Sequence, residues 1–265
     1  MDAETILSCL PETYPWKDLF HYTDTIGSTN DTLKQWAAEG APHGTVLAAG
    51  QQTGGRGRMG RSFHSPQGTG VYLSILLRPQ CAPDQIMHLT CAAAAAMVDA
   101  VEQAAGFRPS IKWTNDLVFG HQKLGGILTE LGLSAQGLDY CIIGIGINCL
   151  QSREDFPEEL QNMAASLSMI AGKPVEPSLL AGAMMEALFR MDEKLLTGKE
   201  EILRIYRENC ITLGTEISLV RGEEIRHGKA LDIDGDGAMI VEFEDGKIEH
   251  VSSGEVSIRG MYGYV

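Results

Sequence analysis

Three arginines occur within the seven-residue segment GRGRMGR at residues 55–61, in a chain whose formal net charge is -14. Guanidinium groups bind a carboxylate or a phosphate through paired hydrogen bonds, and glycine lets the backbone approach a ligand closely. This segment, called the arginine loop below, is therefore a candidate anion clamp. Considered alone, the run is explained equally well by a solvated basic loop.

A second polar cluster follows a short apolar run. The segment KWTND at residues 112–116 lies at the end of a predicted strand, and Lys123 precedes the glycine pair at 125–126, where a backbone can be approached closely. Alone, the first feature is typical of a plain β-turn and the second of a solvent-facing lysine. Together with the arginine loop, they indicate a ligand site built from cations, an amide and a carboxylate.

Familiar catalytic motifs are missing from the sequence. No H-E-x-x-H motif and no G-x-S-x-G elbow occurs, so metal-dependent hydrolysis and serine acyl transfer lack their residues. Residues 55–60 match the string G-x-G-x-x-G, but turn-forming residues and a strand follow where a dinucleotide site requires a helix. The run 232–237 resembles the start of a calcium loop, yet Phe243 occupies the position of the bidentate glutamate. We therefore predict a hairpin turn there.

The remaining residues favour a reaction between two anions. Several cations without a protein nucleophile suit such a reaction, because like charges repel at contact distance. Adenylation of a carboxylic acid is one example: the substrate carboxylate itself attacks the α-phosphorus of ATP. The enzyme then supplies positioning and stabilisation of the developing charge.

The amino-acid composition indicates a globular protein and argues against several other classes. With 265 residues, 44% of them apolar and 21% charged, the chain has the profile of a globular protein with a sizeable core. The six cysteines include no C-x-x-C pair, so we predict reduced thiols. The acidic balance disfavours nucleic acid, and no signal pattern or apolar run of membrane-spanning length occurs. These features predict a cytoplasmic protein that binds neither nucleic acid nor membrane.

Residue periodicity predicts two domains, 1–212 and 213–265. In the first, strands on both sides of the arginine loop belong to one sheet, and an alanine-rich helix is buried against it. In the second, short alternating runs separated by turn residues predict a small β-barrel. The predicted helices are 28–39, 83–105, 164–171, 177–196 and 200–209, and the predicted strands of the first domain are 45–49, 70–77, 110–113, 117–119, 126–131 and 140–147, the last of them central.

In these segments the sequence resembles a known family, the bacterial biotin protein ligases. Their marks are a G-R-G-R-x-G-R loop, a K-W-P-N-D strand end and a K-x-x-G-I-L segment. The matching segments here are GRGRMGR at 55–61, KWTND at 112–116 and KLGGILTE at 123–130, supported by STN at 28–30 and GIGIN at 144–148. Thr114 replaces the proline but removes no reacting group. The resemblance implies an α+β fold: a mixed, largely antiparallel sheet backed by helices, as in class II synthetases, with a C-terminal SH3-like β-barrel.

The resemblance also implies roles for individual residues. Lys123 would bridge the biotin carboxyl oxygen and the α-phosphate, Asp116 would face the incoming lysine amine, and Arg58 would belong to a lid that orders over the ligands. The biotin-binding residues would be Ser28, Thr29, Asn30, Gln52, Arg56, Gly57, Arg58, Lys123 and Gly126. The nucleotide-binding residues would be Arg56, Arg58, Arg61, Asn115, Lys123, Asn148 and Arg259. Mg²⁺ is expected with ATP; Asn115 would support the nucleotide and the metal, and no residue is assigned as a direct metal ligand.

The implied activity is that of an ATP-dependent biotin protein ligase. Biotin and ATP would give biotinyl-5′-AMP and pyrophosphate, and a lysine of a biotin carboxyl carrier domain would then accept the biotinyl group. A lipoate or octanoate ligase, or a noncatalytic biotin- or nucleotide-binding protein, is the alternative. A homodimer is compatible with the resemblance. Only about 27 residues precede Ser28, too few for a helix-turn-helix domain, so we expect no repressor function.

Overall fold

The computed structural model describes residues 1–252 and 255–258. Within them the chain forms two sheets and six α-helices. The helices are α1 Ala3–Ser8, α2 Thr29–Ala38, α3 Leu89–Ala105, α4 Leu167–Ala171, α5 Pro177–Lys194 and α6 Lys199–Asn209. The strands are β1 Phe20–Thr23, β2 Thr45–Ala49, β3 Gly70–Leu77, β4 Ser110–Lys112, β5 Asp116–Phe119, β6 Gln122–Ser134, β7 Gly137–Asn148, β8 Glu216–Arg221, β9 Glu224–Ile233, β10 Met239–Phe243, β11 Ile248–Val251 and β12 Glu255–Ile258.

The larger sheet contains seven strands in the order β1-β2-β3-β7-β6-β5-β4. β1 and β2 are parallel, whereas the other neighbouring pairs are antiparallel. The predicted mixed, largely antiparallel sheet is therefore confirmed, and β7, whose residues 141–148 are buried, occupies its centre. The arginine loop connects β2 with β3, which are neighbours in this sheet, as the sequence predicted. None of the described helices is both long and apolar enough to cross a membrane.

The two faces of this sheet carry different helices. Ile143, Ile145 and Ile147 of β7 belong to the main core with α3 and α5, whereas Ile142 packs with α2 on the opposite face. Alternation along the strand explains the separation, because successive side chains point to opposite faces. The α2 face is the one that carries the candidate site.

The predicted helix 83–105 is divided in the structure. Pro83–Ile86 forms a 3-10 turn, and α3 begins only at Leu89 and is capped after Ala105 by Gly106, which has a positive φ. The break occurs where His88 turns inward and contacts the carbonyl oxygen of Leu195 at 3.0 Å. The sequence did not reveal α1 and β1, because each is short and neither shows a clear apolar period.

The smaller, antiparallel sheet has the order β11-β10-β9-β8-β12. The run 232–237 leads into the hairpin turn between β9 and β10, as predicted, where Asp234 accepts hydrogen bonds from the backbone N–H groups of Asp236 and Ala238. The carbonyl oxygen of Gly237 accepts a hydrogen bond from Nε1 of Trp113 at 3.2 Å. This turn therefore packs against the connection between β4 and β5, which includes Trp113 and Asn115 and leads into Asp116.

We predict a pH-dependent stability that originates at His88, beside this turn. Burial lowers the pKa of His88 below its usual 6.5, although the hydrogen bond to Leu195 opposes the shift. The unfolded chain therefore takes up this proton at a higher pH than the folded one does. Below pH 6.5 the free energy of unfolding should fall by up to about 1.4 kcal/mol per pH unit from this residue. Thermal melts between pH 7.5 and 5.5 should show a weaker dependence in a His88→Gln variant, and identical slopes would contradict the assignment.

Candidate active site

The floor of a cleft on the α2 face is formed by glycines of β7. Gly144 and Gly146 continue the row of residues that starts with Ile142, but they carry no side chains. An added Cβ would lie 2.0 Å from Oδ1 of Asn30 at Gly144 and 2.5 Å from the ring of Phe63 at Gly146. The alternating glycines therefore create the space between the sheet, α2 and the arginine loop.

A wall of hydroxyl and amide groups forms one end of the cleft. Ser28 caps α2, with its side chain accepting from the N–H of Asp31, so that Thr29 and Asn30 lie in the first turn. Oε1 of Gln52 accepts hydrogen bonds from Thr29 N at 2.9 Å and from Thr29 Oγ1 at 3.0 Å. The wall therefore presents fixed polar groups to a ligand that lies on the glycine floor.

The buried hydroxyl of Ser74 continues this network. Its Oγ lies 2.6 Å from both Thr29 Oγ1 and Asn30 Oδ1. Thr29 and Ser74 have one hydroxyl proton each. Their hydroxyl oxygens nevertheless take part in three oxygen–oxygen contacts: with each other, from Thr29 to Gln52, and from Ser74 to Asn30. This wall is consequently short of donors, so a ligand head that brings N–H groups suits it well.

The arginine loop is a small hairpin over the cleft. The N–H of Phe63 bonds to the carbonyl of Gly55 at 2.9 Å, and the N–H of Gly57 bonds to the carbonyl of Arg61 at 2.7 Å. At its tip Met59 adopts a left-handed conformation, with φ of 57°. Nη1 of Arg58 donates to Oδ1 of Asn115 at 2.9 Å.

Arg56 of the same hairpin is held by acidic side chains. Its guanidinium forms ion pairs with Asp31 and, at 3.2 Å, with Glu130. Both arginines therefore have protein partners across the cleft.

Lys123 and Asp116 form an ion pair of 2.6 Å within the cleft. Asp116 lies opposite Gly126 in the pairing of β5 with β6, and the missing side chain of Gly126 leaves room for the Lys123 ammonium. The backbone of Lys123 is held by the segment at 163–165 through hydrogen bonds of 2.7 and 2.9 Å. Because both its backbone and its side chain have fixed partners, Lys123 offers a positioned positive charge.

A second chamber adjoins the first. Its lining includes Asn148 and the apolar side chains of Phe156 and Leu160. Both chambers are bordered by Lys123 and by the loop residues Arg61, Ser62 and Phe63. Lys123 therefore lies at the junction of a polar chamber and a more apolar one.

The first chamber brings together most of the residues that the sequence singled out. It is lined by Ser28, Thr29, Asn30, Gln52, Arg56, Gly57, Arg58, Arg61, Asn115, Asp116, Lys123 and Gly126. Asn148 faces the second chamber instead, donating to the carbonyl of Ala165 at 3.2 Å. Arg259 lies outside the described residues.

Several lining residues were missed by sequence reasoning. Phe63, Trp113 and Val256 of β12 contribute apolar surface, and Gly144 and Gly146 form the floor. The alternation of glycine and isoleucine in GIGIN was a usable signal, because it removes two successive side chains, at 144 and 146, from one face of a strand.

The fold and the site are those of a class of ligases, and two family models of this class match most of the chain. Residues 22–148 match the biotin/lipoate A/B protein ligase family, and residues 212–259 match the biotin protein ligase C-terminal domain. The chain belongs to the biotin protein ligase family. The fold class expected from the sequence is likewise confirmed by the solved structures that it resembles.

Individual relatives agree with this assignment. The chain is 36% identical to the bifunctional ligase/repressor BirA of Bacillus subtilis, over 89% of this chain and 73% of that protein. It is 30% identical to the biotin–[acetyl-CoA-carboxylase] ligase of Mycobacterium tuberculosis, over 91% of this chain and 89% of that one. The biotin protein ligase of Aquifex aeolicus, solved in complex with biotin and ATP, superposes with a TM-score of 0.75 at 32% identity, covering 91% of this chain and 98% of that chain.

Proposed function

We infer that this chain is an ATP-dependent biotin protein ligase that activates biotin as biotinyl-5′-AMP and then transfers it to a lysine. The observation that carries this inference is the place of Lys123, at the junction of a polar chamber and a second chamber. We further propose that the acceptor is a biotin carboxyl carrier domain and that the protein acts in the cytoplasm. The division into domains 1–212 and 213–265 stays a prediction, although the smaller sheet begins at Glu216.

The polar wall suits the ureido ring of biotin. That ring carries two N–H donors and a carbonyl acceptor, whereas the wall offers the amide oxygens of Asn30 and Gln52 together with hydroxyl groups. A lipoyl or octanoyl chain has no such donors to supply. With the ring at this end, the valeryl chain would extend over the glycine floor and its carboxylate would approach Lys123.

In the first step, a biotin carboxylate oxygen attacks the α-phosphorus of ATP. A bond forms between that oxygen and phosphorus, the bond to the β-phosphate oxygen breaks, and pyrophosphate leaves. Both reactants are anions, so a fixed cation between them offsets their repulsion. We assign this role to Lys123, with Arg56, Arg58 and Arg61 of the loop stabilising the phosphates.

Magnesium is proposed as a companion of the nucleotide. Among the described residues, no group of three or more His, Cys, Asp or Glu side chains is arranged to hold a metal ion. Asn115 instead offers one amide oxygen in the cleft, which suits an ion held mainly by phosphates. Bound there, Mg²⁺ would neutralise charge on the leaving pyrophosphate. Asn148 would contribute to nucleotide binding from the second chamber.

In the second step, the acceptor lysine amine attacks the acyl carbon and AMP leaves. Asp116 contacts Lys123 in the cleft, so a carboxylate is available to orient the incoming amine and receive its proton. The bond between the acyl carbon and the phosphate oxygen breaks, and AMP leaves with that electron pair as a free phosphate monoester.

Replacing Asp116 by Asn should therefore slow transfer by about 10²-fold or more while adenylate formation changes far less. The two rates can be separated by single-turnover assays, one starting from biotin and ATP and one from preformed biotinyl-5′-AMP. Equal losses in both assays would contradict this role for Asp116.

Pyrophosphate exchange into ATP tests the overall function. Exchange that depends on biotin, and not on lipoate or octanoate, is the expected result. Exchange with lipoate or octanoate instead would assign the chain to a sister ligase, and no exchange with any acid would indicate a binding protein. Biotinylation of a purified carrier domain then tests the acceptor.

A homodimer is proposed from the edge of β6. β5 pairs with β6 only as far as Gly126, and past that residue no described strand covers this edge. The exposed side chains of Leu131 and Leu133 lie along it, with 44% and 67% of their surface accessible. Pairing of two such edges would bury these leucines. Sedimentation equilibrium should show self-association that a Leu133→Lys variant weakens, whereas a wild-type monomer at all concentrations would contradict the proposal.

A further inference from the structure

Glu130 touches both the polar wall and the arginine loop. It is the last residue of the quoted segment 123–130, but neither the sequence analysis nor the proposed chemistry gives it a role. It lies opposite Ile142 in the pairing of β6 with β7. Cross-strand partners share a face, so its carboxylate points toward α2 and the cleft. One oxygen, Oε2, accepts from Nδ2 of Asn30 at 2.9 Å. The other, Oε1, lies 2.5 Å from the ammonium of Lys34 and 3.2 Å from Arg56.

The carboxylate determines which edge of the Asn30 amide faces the cleft. Nδ2 of Asn30 lies near two groups that only accept hydrogen bonds, the Glu130 carboxylate and the carbonyl of Leu128 at 3.4 Å. Turning the amide over would place its oxygen against both acceptors. Oδ1 of Asn30 is therefore kept on the other side, where it accepts from Ser74 and faces the floor at Gly144.

Two cations keep this carboxylate in place. Lys34 is four residues after Asn30 on α2, so the two side chains are neighbours on one helix face and reach the same carboxylate. Asn30 itself is only 4% exposed, which leaves its amide little access to water as an alternative partner. An ionised Glu130 accepts hydrogen bonds only, whereas a glutamine at this position could present either an oxygen or an N–H group to Asn30.

We propose that Glu130 is a positioning residue that fixes the Asn30 amide with its oxygen toward the ligand and thereby sets the affinity for biotin. This inference rests on the proposed function, because the ligand group that Asn30 Oδ1 would accept from is a ureido N–H. Glu130 touches no reacting atom, so its effect belongs to biotin binding and not to the chemical step.

Glu130→Gln tests the proposal in the pyrophosphate-exchange assay. We expect the KM for biotin to rise about tenfold, because a hydrogen bond to a charged group is lost and the amide is free to turn. The kcat and the KM for ATP should stay close to those of the wild type. The matched control is Asp31→Asn, which also removes a carboxylate partner from Lys34 and Arg56 but from no atom of Asn30. Its KM for biotin should remain within about twofold of the wild type.

A double-mutant cycle with Asn30→Ala separates positioning from a general structural role. If Glu130 acts through Asn30, adding Glu130→Gln to Asn30→Ala should not raise the KM for biotin further. An equal rise in both backgrounds, or an unchanged KM in the single variant, would overturn the proposal. A parallel loss of kcat, ATP affinity and melting temperature in Glu130→Gln would also overturn it. Biotin-dependent pyrophosphate exchange by the wild type tests the proposed function, whereas the comparison of variants tests the role of Glu130. Failure of one is therefore distinguishable from failure of the other.

Discussion

Lys123→Met should reduce biotin-dependent pyrophosphate exchange by about 10²- to 10³-fold, because it removes the cation at the junction of the two chambers. Methionine has a similar length and volume, so the backbone bonds to the segment at 163–165 should persist. The lost charge is the one placed to offset repulsion between the biotin carboxylate and the α-phosphate. Removing a single positioned electrostatic group of this kind typically costs about 10²- to 10³-fold in kcat.

The paired acid provides a control for folding. In Lys123→Met, the Asp116 carboxylate loses its 2.6 Å partner while its side chain is only 15% exposed, so some stability should be lost. The double variant Lys123→Met with Asp116→Asn removes that unpaired charge and should recover the melting temperature without recovering exchange. Lys173→Met, at an exposed lysine, should behave like the wild type in both assays. Substantial exchange in a stably folded Lys123→Met protein would refute the assignment of Lys123.

The parts of the site that the sequence revealed are those whose residue types already imply chemistry. Arginines between glycines, an amide next to a carboxylate and a lysine before a glycine pair are unusual enough to be noticed without a structure. Their surrounding strands were also predictable, because β2, β3 and β7 are apolar runs bounded by turn residues. The structure then places these segments around one cleft.

The missed residues have unremarkable local sequence and gain their importance from strand register. Ser74 is one polar residue inside the apolar strand β3, and only its pairing with Gly144 places its hydroxyl beneath Asn30. Glu130 ends the quoted segment 123–130, but its contact with Asn30 depends on the pairing of β6 with β7 and on the position of α2. Long-range register of this kind is not encoded in local periodicity.

The same register explains why Gly144 should tolerate no side chain. A Cβ at this position would lie 2.0 Å from Oδ1 of Asn30, well inside any normal contact distance. Asn30 has little freedom to move, since Glu130 holds its amide nitrogen and Ser74 holds its oxygen. We expect Gly144→Ala to raise the KM for biotin by about 100-fold or more and to lower stability by about 1–3 kcal/mol through overpacking. Gly235→Ala is the matched control, because an added Cβ there meets nothing within 4 Å.

Combining Gly144→Ala with Asn30→Ala distinguishes the clash from a general defect of β7. The second substitution removes the atoms that the new methyl group meets, so the melting temperature should return toward that of Asn30→Ala alone. Biotin affinity should stay low, because the amide oxygen that would accept from the ureido ring is absent. If stability does not recover, the destabilisation comes from the strand itself and not from contact with Asn30. If Gly144→Ala alone binds biotin normally, the glycine floor is not where the ligand lies, and the placement of biotin over β7 is wrong.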